Sequence, residues 1–267
     1  MTETMSGPGS AAAQGALWGA RAADWAELQE VQHVPLYEAV LDRVAPRPGM
    51  RVLDVGCGSG VYCRLAVERG LAVSGLDATP ELVALAARRV PGLDVRQGEI
   101  ETLPYPDDAF DLVTGFNAFQ YAARPLNALA EARRVTRPRG RVVIATWGSP
   151  VACEASGYLA ALAGLLPPPP PGAPGPFALS APGALEQMVT QAGLEPVDAL
   201  EADTPFVYPN EATALLALLS AGPGVGAIAA AGEPRAREAV AEAIAPYRRP
   251  DGSYRLRNRF RYLIARA

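Results

Sequence analysis

The chain has 267 residues, 49% of them hydrophobic, enough to bury a full core in one large domain or a domain with a substantial insertion. Its 24 Lys and Arg against 28 Asp and Glu give no overall field that would draw nucleic acid or an acidic membrane, so neither is an expected partner. Three cysteines, Cys57, Cys63 and Cys153, show no CxxC pair and no zinc-ligand spacing; their odd number without a signal peptide implies reduced thiols in a cytoplasm and no metal site.

Residues 1–16, "MTETMSGPGSAAAQGA", are small and polar and read as a disordered leader. Residues 17–48 read as an N-terminal helical lid. Trp25, Leu28, Val31, Leu36, Val40 and Val44 share one side of a helical period, which Pro46 and Pro48 end. From residue 49 to about 150 short apolar strands alternate with amphipathic helices: "MRVLDVG", "VYCRLAVERG", "LAVSGLD", "TPELVALAARRV", "LDVRQGE". This βαβαβ rhythm predicts a parallel sheet with right-handed crossovers and helices on both faces. Ser59 is placed to cap the first crossover helix and Gly70 to end it, and Thr79-Pro80-Glu81 is a good start for the second.

A fourth strand, "FDLVTGFNAF", and a fifth, "GRVVIATWG", flank a helix over about Pro125 to Val135. Residues 151–267 break the rhythm. The run Pro167 to Pro171 and "GAPGPF" form a stiff extended connector. A helix over about Ala181 to Ala192 and a sixth strand near Glu195 to Thr204 follow. "FRYLIARA" closes the chain, and residues 205–250 between them read as an inserted helical substrate lid. Inside that insertion the apolar run Glu211 to Ala231 is broken by Gly222, Pro223, Gly224 and Gly226 into pieces too short to cross a membrane.

The turn after the first strand, "DVGCGSG", is the first sign of a ligand. Gly56, Gly58 and Gly60 let a ligand approach the backbone ahead of a helix start. Their G-x-G-x-G spacing differs from the G-x-G-x-x-G of dinucleotide folds and discriminates weakly. Asp77 ends the second strand, where a carboxylate accepts both hydroxyls of a ribose. Glu99 ends the third strand, within reach of an exocyclic amine, and Ile100 beside it offers an apolar face and a backbone N–H to a purine.

Together "VLDVGCGSG", the terminal Asp77, "GEIETLPYPDDAFDLV" and "RVTRPRGRVVIATW" resemble, in order, the motifs of class I S-adenosylmethionine-dependent methyltransferases. The likeness is to the small-molecule group of quinone-biosynthesis and natural-product enzymes, over about Met50 to Trp147. The resemblance implies an α/β Rossmann-like fold: a seven-stranded, mostly parallel sheet with an antiparallel last strand. It implies S-adenosylmethionine as cofactor and S-adenosylhomocysteine as product. Asp54, Gly56, Cys57, Gly58 and Gly60 would hold the methionine end, Asp77 the ribose, Ala78, Glu99 and Ile100 the adenine, and Phe116 the sulfonium region. Glu99 stands where the group more often has Asp. Cys57 serves packing, since no histidine lies near it in sequence to activate a thiolate.

Methyl transfer from a sulfonium asks the protein mainly for alignment and a dry site, with no metal. An oxygen acceptor must lose its proton, and His33 is the sole histidine; His33 and Tyr37, on the lid, are the candidate catalytic residues. Trp25, Phe119, Trp147 and Phe206 are candidates for an apolar, aromatic acceptor wall, with Trp18 and Phe177 beside them. The expected partner is a small-molecule acceptor, and a homodimer stays open. Nucleic acid is disfavoured because "FNAFQY" stands where amino-directed DNA methyltransferases carry an NPPY-type sequence. Arg255, Arg257, Arg259 and Arg261 alternate along one expected strand face, either ion-paired or open to an anionic partner. Two rival functions are a protein of the same fold that binds the cofactor without methylating, for cyclisation or regulation, and an NAD(P)-dependent oxidoreductase.

Overall fold

The computed structural model describes residues 9–168 and 175–267. A seven-stranded sheet runs in the order β3-β2-β1-β4-β5-β9-β6, from β1 (Arg51–Val55), β2 (Ala72–Asp77), β3 (Asp94–Gln97), β4 (Phe110–Phe116), β5 (Thr136–Trp147), β6 (Glu195–Asp203) and β9 (Arg259–Arg266). β1 to β5 pair in parallel, and β9 lies antiparallel to both β5 and β6. The fold class expected from the sequence is the one observed, with the last strand reversed as anticipated.

The pleat sorts the strand side chains into two cores. Val52, Leu112, Val143 and Ala145 face one way, into a cluster completed by α3 (Val34–Val44), α4 (Val61–Glu68) and α7 (Ala155–Ala163). Leu53, Val55, Val113, Val142 and Ile144 face the other, onto α6 (Pro125–Val135) and α8 (Ala184–Gln191). α5 (Pro80–Arg89) opens with Pro80 after an extended Thr79, as its sequence predicts. Gly70 ends α4 in a left-handed conformation.

Two regions depart from expectation, and a third is only partly described. The N-terminal segment is ordered earlier than its composition suggests: α1 (Ala11–Gly19) falls partly within the expected leader, of which residues 1–8 lie outside the described residues. Tertiary anchoring supplies what composition does not, because Gly15 packs onto Ala78 and Ala11 N–H donates to the Glu99 carboxylate at 2.8 Å. The stretch read as one helix is four pieces: α2 (Ala22–Asp24), a π-helical turn Trp25–Gln29, a 3-10 turn Glu30–His33, and α3. Of the proline-rich connector, residues 169–174 lie outside the described residues.

The insertion between β6 and β9 holds α9 (Glu211–Ser220), α10 (Gly222–Ala231) and α11 (Glu233–Ile244). It also holds a small antiparallel hairpin, β7 (Phe206–Tyr208) with β8 (Tyr254–Leu256). α9 and α10 bend by 92° at their junction, and among the described residues no single helix is long and apolar enough to cross a membrane. The hairpin takes Arg255 out of the expected long strand. Arg257 pairs with Glu154, Arg259 with Asp203 and Glu201, and Arg261 with Glu186, so these three form ion pairs rather than an open cationic face.

Candidate functional site

A cleft enclosing about 1210 Å³, part of it open to solvent, lies over the C-terminal ends of β1, β2 and β4. Topology dictates this place, since strand order reverses outward from β1 and the turns diverge there. The turn after β1 is held by the next strand: Gly56 N–H and Cys57 N–H both donate to the Leu76 carbonyl, at 2.7 and 3.0 Å. Gly56 and Gly58 adopt φ of 71° and 56°, and a Cβ on Gly58 would sit 2.7 Å from the Trp25 ring.

Gly56, Cys57 and Gly58 line the cleft, together with Asp54, Asp77, Ala78, Glu99, Ile100 and Phe116. Gly60 does not line it; a Cβ there would press on Ala86 at 3.1 Å, so this glycine serves helix packing. Asp77 accepts from Gly58 N–H and Thr79 N–H, each at 2.9 Å, and spends part of its carboxylate shaping the loop. Burial still pushes its carboxyl above the usual range. Asp54, buried at the end of β1, accepts from the Thr114 hydroxyl at 2.7 Å, and burial likewise raises its carboxyl well above the ordinary value. Glu99 accepts from Ala11 N–H at 2.8 Å, Glu101 N–H at 3.2 Å and the Ser10 hydroxyl at 3.4 Å.

The roof is a strap, residues 10–37. From it Trp18, Trp25, Gln29, Glu30, His33 and Tyr37 face the cleft. Glu30, at 1% exposure, reaches down to the glycine turn and accepts from Ser59 N–H at 3.1 Å, Val61 N–H at 3.4 Å and the Ser59 hydroxyl. Arg89 stands 3.5 Å away. The expectation that Ser59 caps α4 therefore needs correction. The side chain of Ser59 is engaged by Glu30 and Arg89, Gly60 is the N-cap residue, and Glu30 supplies the carboxylate at the helix start. Burial lifts the Glu30 carboxyl to about 7, against the opposing pull of Ser59 and Arg89.

His33 is buried among the rings of Tyr37, Phe206 and Phe260, and desolvation lowers its pKa to about 4, which keeps the imidazole neutral near pH 7. Its Nδ1 lies 3.3 Å from the Glu30 carbonyl. Tyr37 packs edge-on to Phe116 at 4.7 Å. Trp147 lines the cleft beside Tyr158 and Leu159. Two of the four aromatic residues expected in the acceptor wall stand elsewhere. Phe119 is fully buried against Gly115 in the core opposite α3, since the 3-10 turn Phe119–Tyr121 directs it under the sheet. Phe206 is fully buried behind His33 and Trp147 and backs the wall without forming it.

Gln29, Glu30, Tyr158 and Pro223 escaped the sequence reading. A 3.6-residue period cannot place the side chains of a π turn followed by a 3-10 turn. The one available signal was Glu30 itself, a charged residue on the apolar flank between Leu28 and Val31.

Residues 53–144 match the family model described as "Methyltransferase domain". This part of the chain is a methyltransferase domain. Over 111 residues, covering 42% of this chain, it is 38% identical to the demethylmenaquinone methyltransferase of Renibacterium salmoninarum, of which the match covers 47%. A malonyl-[acyl-carrier protein] O-methyltransferase of Serratia marcescens is 37% identical over 109 residues, 41% of this chain and 43% of that protein. The chain thus spans less than half the length of these two curated relatives. Among solved structures, the YcgJ protein of Bacillus subtilis superposes with a TM-score of 0.59 at 21% identity, over 86% of this chain and 97% of that one. The [4+2]-cyclase SpnF superposes with a TM-score of 0.54, also at 21% identity, over 86% of this chain and 79% of that one. At such identities the likeness is of fold. The methyltransferase domain ends before α7, so the wall beyond Trp147 and the whole insertion lie outside the matched region.

Proposed function

We propose that the protein transfers a methyl group from S-adenosylmethionine to a small, apolar or aromatic acceptor. The observation that carries this reading is a single cleft in which Gly56–Gly58, Asp77 and Phe116 meet the aromatic strap and wall. The residues fit the cofactor. Gly56 and Gly58 leave room at the backbone, Asp77 retains lone pairs for a ribose, and Ile100 and Leu82 give an apolar berth for adenine. Asp54, which accepts from the Thr114 hydroxyl, lines the cleft with Asp77 and offers a carboxylate to a ligand carrying an ammonium. Glu99 reaches adenine only where its bond to Ala11 N–H yields or is shared.

When bound, the cofactor supplies an electrophilic methyl on a sulfonium. The chain's own contribution is to exclude water under the strap and to align the acceptor against Phe116, Trp25, Trp147 and His33. His33, neutral near pH 7 and stacked on Tyr37, is the residue proposed to accept the proton of an acceptor hydroxyl, and its pKa of about 4 makes it a weak base until the bound ligands change its surroundings. Isothermal titration with S-adenosylmethionine, S-adenosylhomocysteine and NADH tests the cofactor: the first two should bind and NADH should not. Formation of S-adenosylhomocysteine with phenolic acceptors then tests the reaction. Cofactor binding with no methyl consumed over a broad acceptor panel would favour the non-methylating reading.

A further inference from the structure

The strap carries a polar group that neither the cofactor nor the proton transfer uses. Gln29 ends the π-helical turn, is only 4% exposed, and lines the cleft between Trp25 and His33 in sequence. Its carbonyl Oε1 accepts a hydrogen bond of 2.6 Å from the Tyr208 hydroxyl. Tyr208 is itself buried, on the β7–β8 hairpin of the insertion. Gln32, three residues on, ties down the same hairpin by accepting from Val207 N–H at 2.9 Å. The strap and the insertion are therefore bolted together at the roof of the cleft by two glutamines.

With Oε1 bonded to the Tyr208 hydroxyl, Nε2 is the carboxamide's remaining polar atom, and it can only donate. Nε2 makes no hydrogen bond with any described residue, and it is not among the fully sealed unpartnered atoms. A buried amide donor left unmatched carries a desolvation cost, so a cleft that keeps one open gains when a ligand oxygen meets it. The cleft that Gln29 lines also carries the apolar or aromatic side chains Trp25, Trp147, Leu159 and Pro223. A donor set among apolar walls orients a ligand more than it adds affinity.

We infer that Gln29 is a specificity residue that donates from Nε2 to a carbonyl or phenolic oxygen of the acceptor, with Tyr208 as the positioning residue that sets the amide. This deepens the proposed function and rests on the acceptor occupying this cleft. It restricts the acceptor class to ring systems bearing a hydrogen-bond-accepting oxygen and disfavours pure hydrocarbons.

The test uses the full chain saturated with S-adenosylhomocysteine and two probes of one shape, 1-tetralone, which carries a carbonyl, and tetralin, which does not. Equilibrium dialysis gives both affinities for wild type, Gln29→Leu and Tyr208→Phe. The ratio of tetralone to tetralin affinity should fall about fivefold in Gln29→Leu and by a smaller factor in Tyr208→Phe. Tetralin binding should be unchanged in both, which also reports that the variants fold. A ratio unchanged in Gln29→Leu overturns the inference and leaves the proposed function standing. Wild type binding neither probe overturns the inference together with the apolar acceptor cleft, whereas loss of S-adenosylhomocysteine binding in wild type removes the proposed function itself.

Discussion

Asp77 illustrates how one side chain answers to both folding and binding. It holds Gly58 N–H and Thr79 N–H, and the same carboxylate faces the cleft. Asp77→Ala should weaken S-adenosylmethionine binding at least tenfold by titration calorimetry, because a hydrogen bond to a charged group contributes roughly 1.5–3 kcal/mol. Gly58→Ala should abolish cofactor binding and lower stability by about 1–3 kcal/mol in urea unfolding, since it combines a left-handed φ with a Cβ 2.7 Å from Trp25. His33→Ala should leave cofactor affinity intact and cut turnover of a phenol by about 10²-fold or more if its imidazole takes the proton; unchanged turnover would remove that role.

At the scale of elements, the strap shows where sequence reading stopped. β1, β2, β4 and α6 were legible because apolar runs, glycine turns and Pro125 mark their ends directly. The strap between Trp25 and His33 was not, because its turns are π and 3-10 and its order derives from Glu30 and Gln29 bonding to partners far along the chain. The three-residue strands β7 and β8 are too short to leave an alternation. Two buried titratable groups in this strap oppose one another. The Glu30 carboxyl is raised from 4.5 to about 7, so the folded state holds its proton more tightly, and stability falls as pH rises through that window. The His33 imidazole is lowered from 6.5 to about 4, so the unfolded state holds its proton more tightly, and stability rises as pH climbs from 4 to 6.5. The raised carboxyls of Asp54 and Asp77 act in the same direction as Glu30, so wild-type stability should fall as pH rises from 4.5 to 6.5. Relative to wild type, Glu30→Gln should make the slope more positive with pH and His33→Phe more negative, each by on the order of 2–3 kcal/mol across its window in urea unfolding.

For the whole molecule, the methyltransferase domain and the rest divide the work. Residues 53–144 set the sheet, the glycine turn and the carboxylates, and this part was legible in the sequence as a run of motifs in order. The strap, Trp147, Tyr158 and the helices of the insertion close the other side; Trp25, Trp147 and the helical insertion were legible there, whereas Gln29, Glu30 and Tyr158 were not, because they follow no shared spacing. Cofactor binding to the folded state alone should raise the melting temperature with ligand concentration, as mass action requires, and the rise should shrink in Asp77→Ala.

The strap is pinned at both ends of the cleft, by Glu99 holding the start of α1 and by Glu30 holding the glycine turn. That double anchorage has a kinetic meaning. If the proposed cofactor lies beneath it, exchange should be no faster than the strap lifts, so release should be timed by local unfastening of two carboxylates. Slow-step measurements, such as a burst of the first turnover followed by a slower steady state, would read that clock directly.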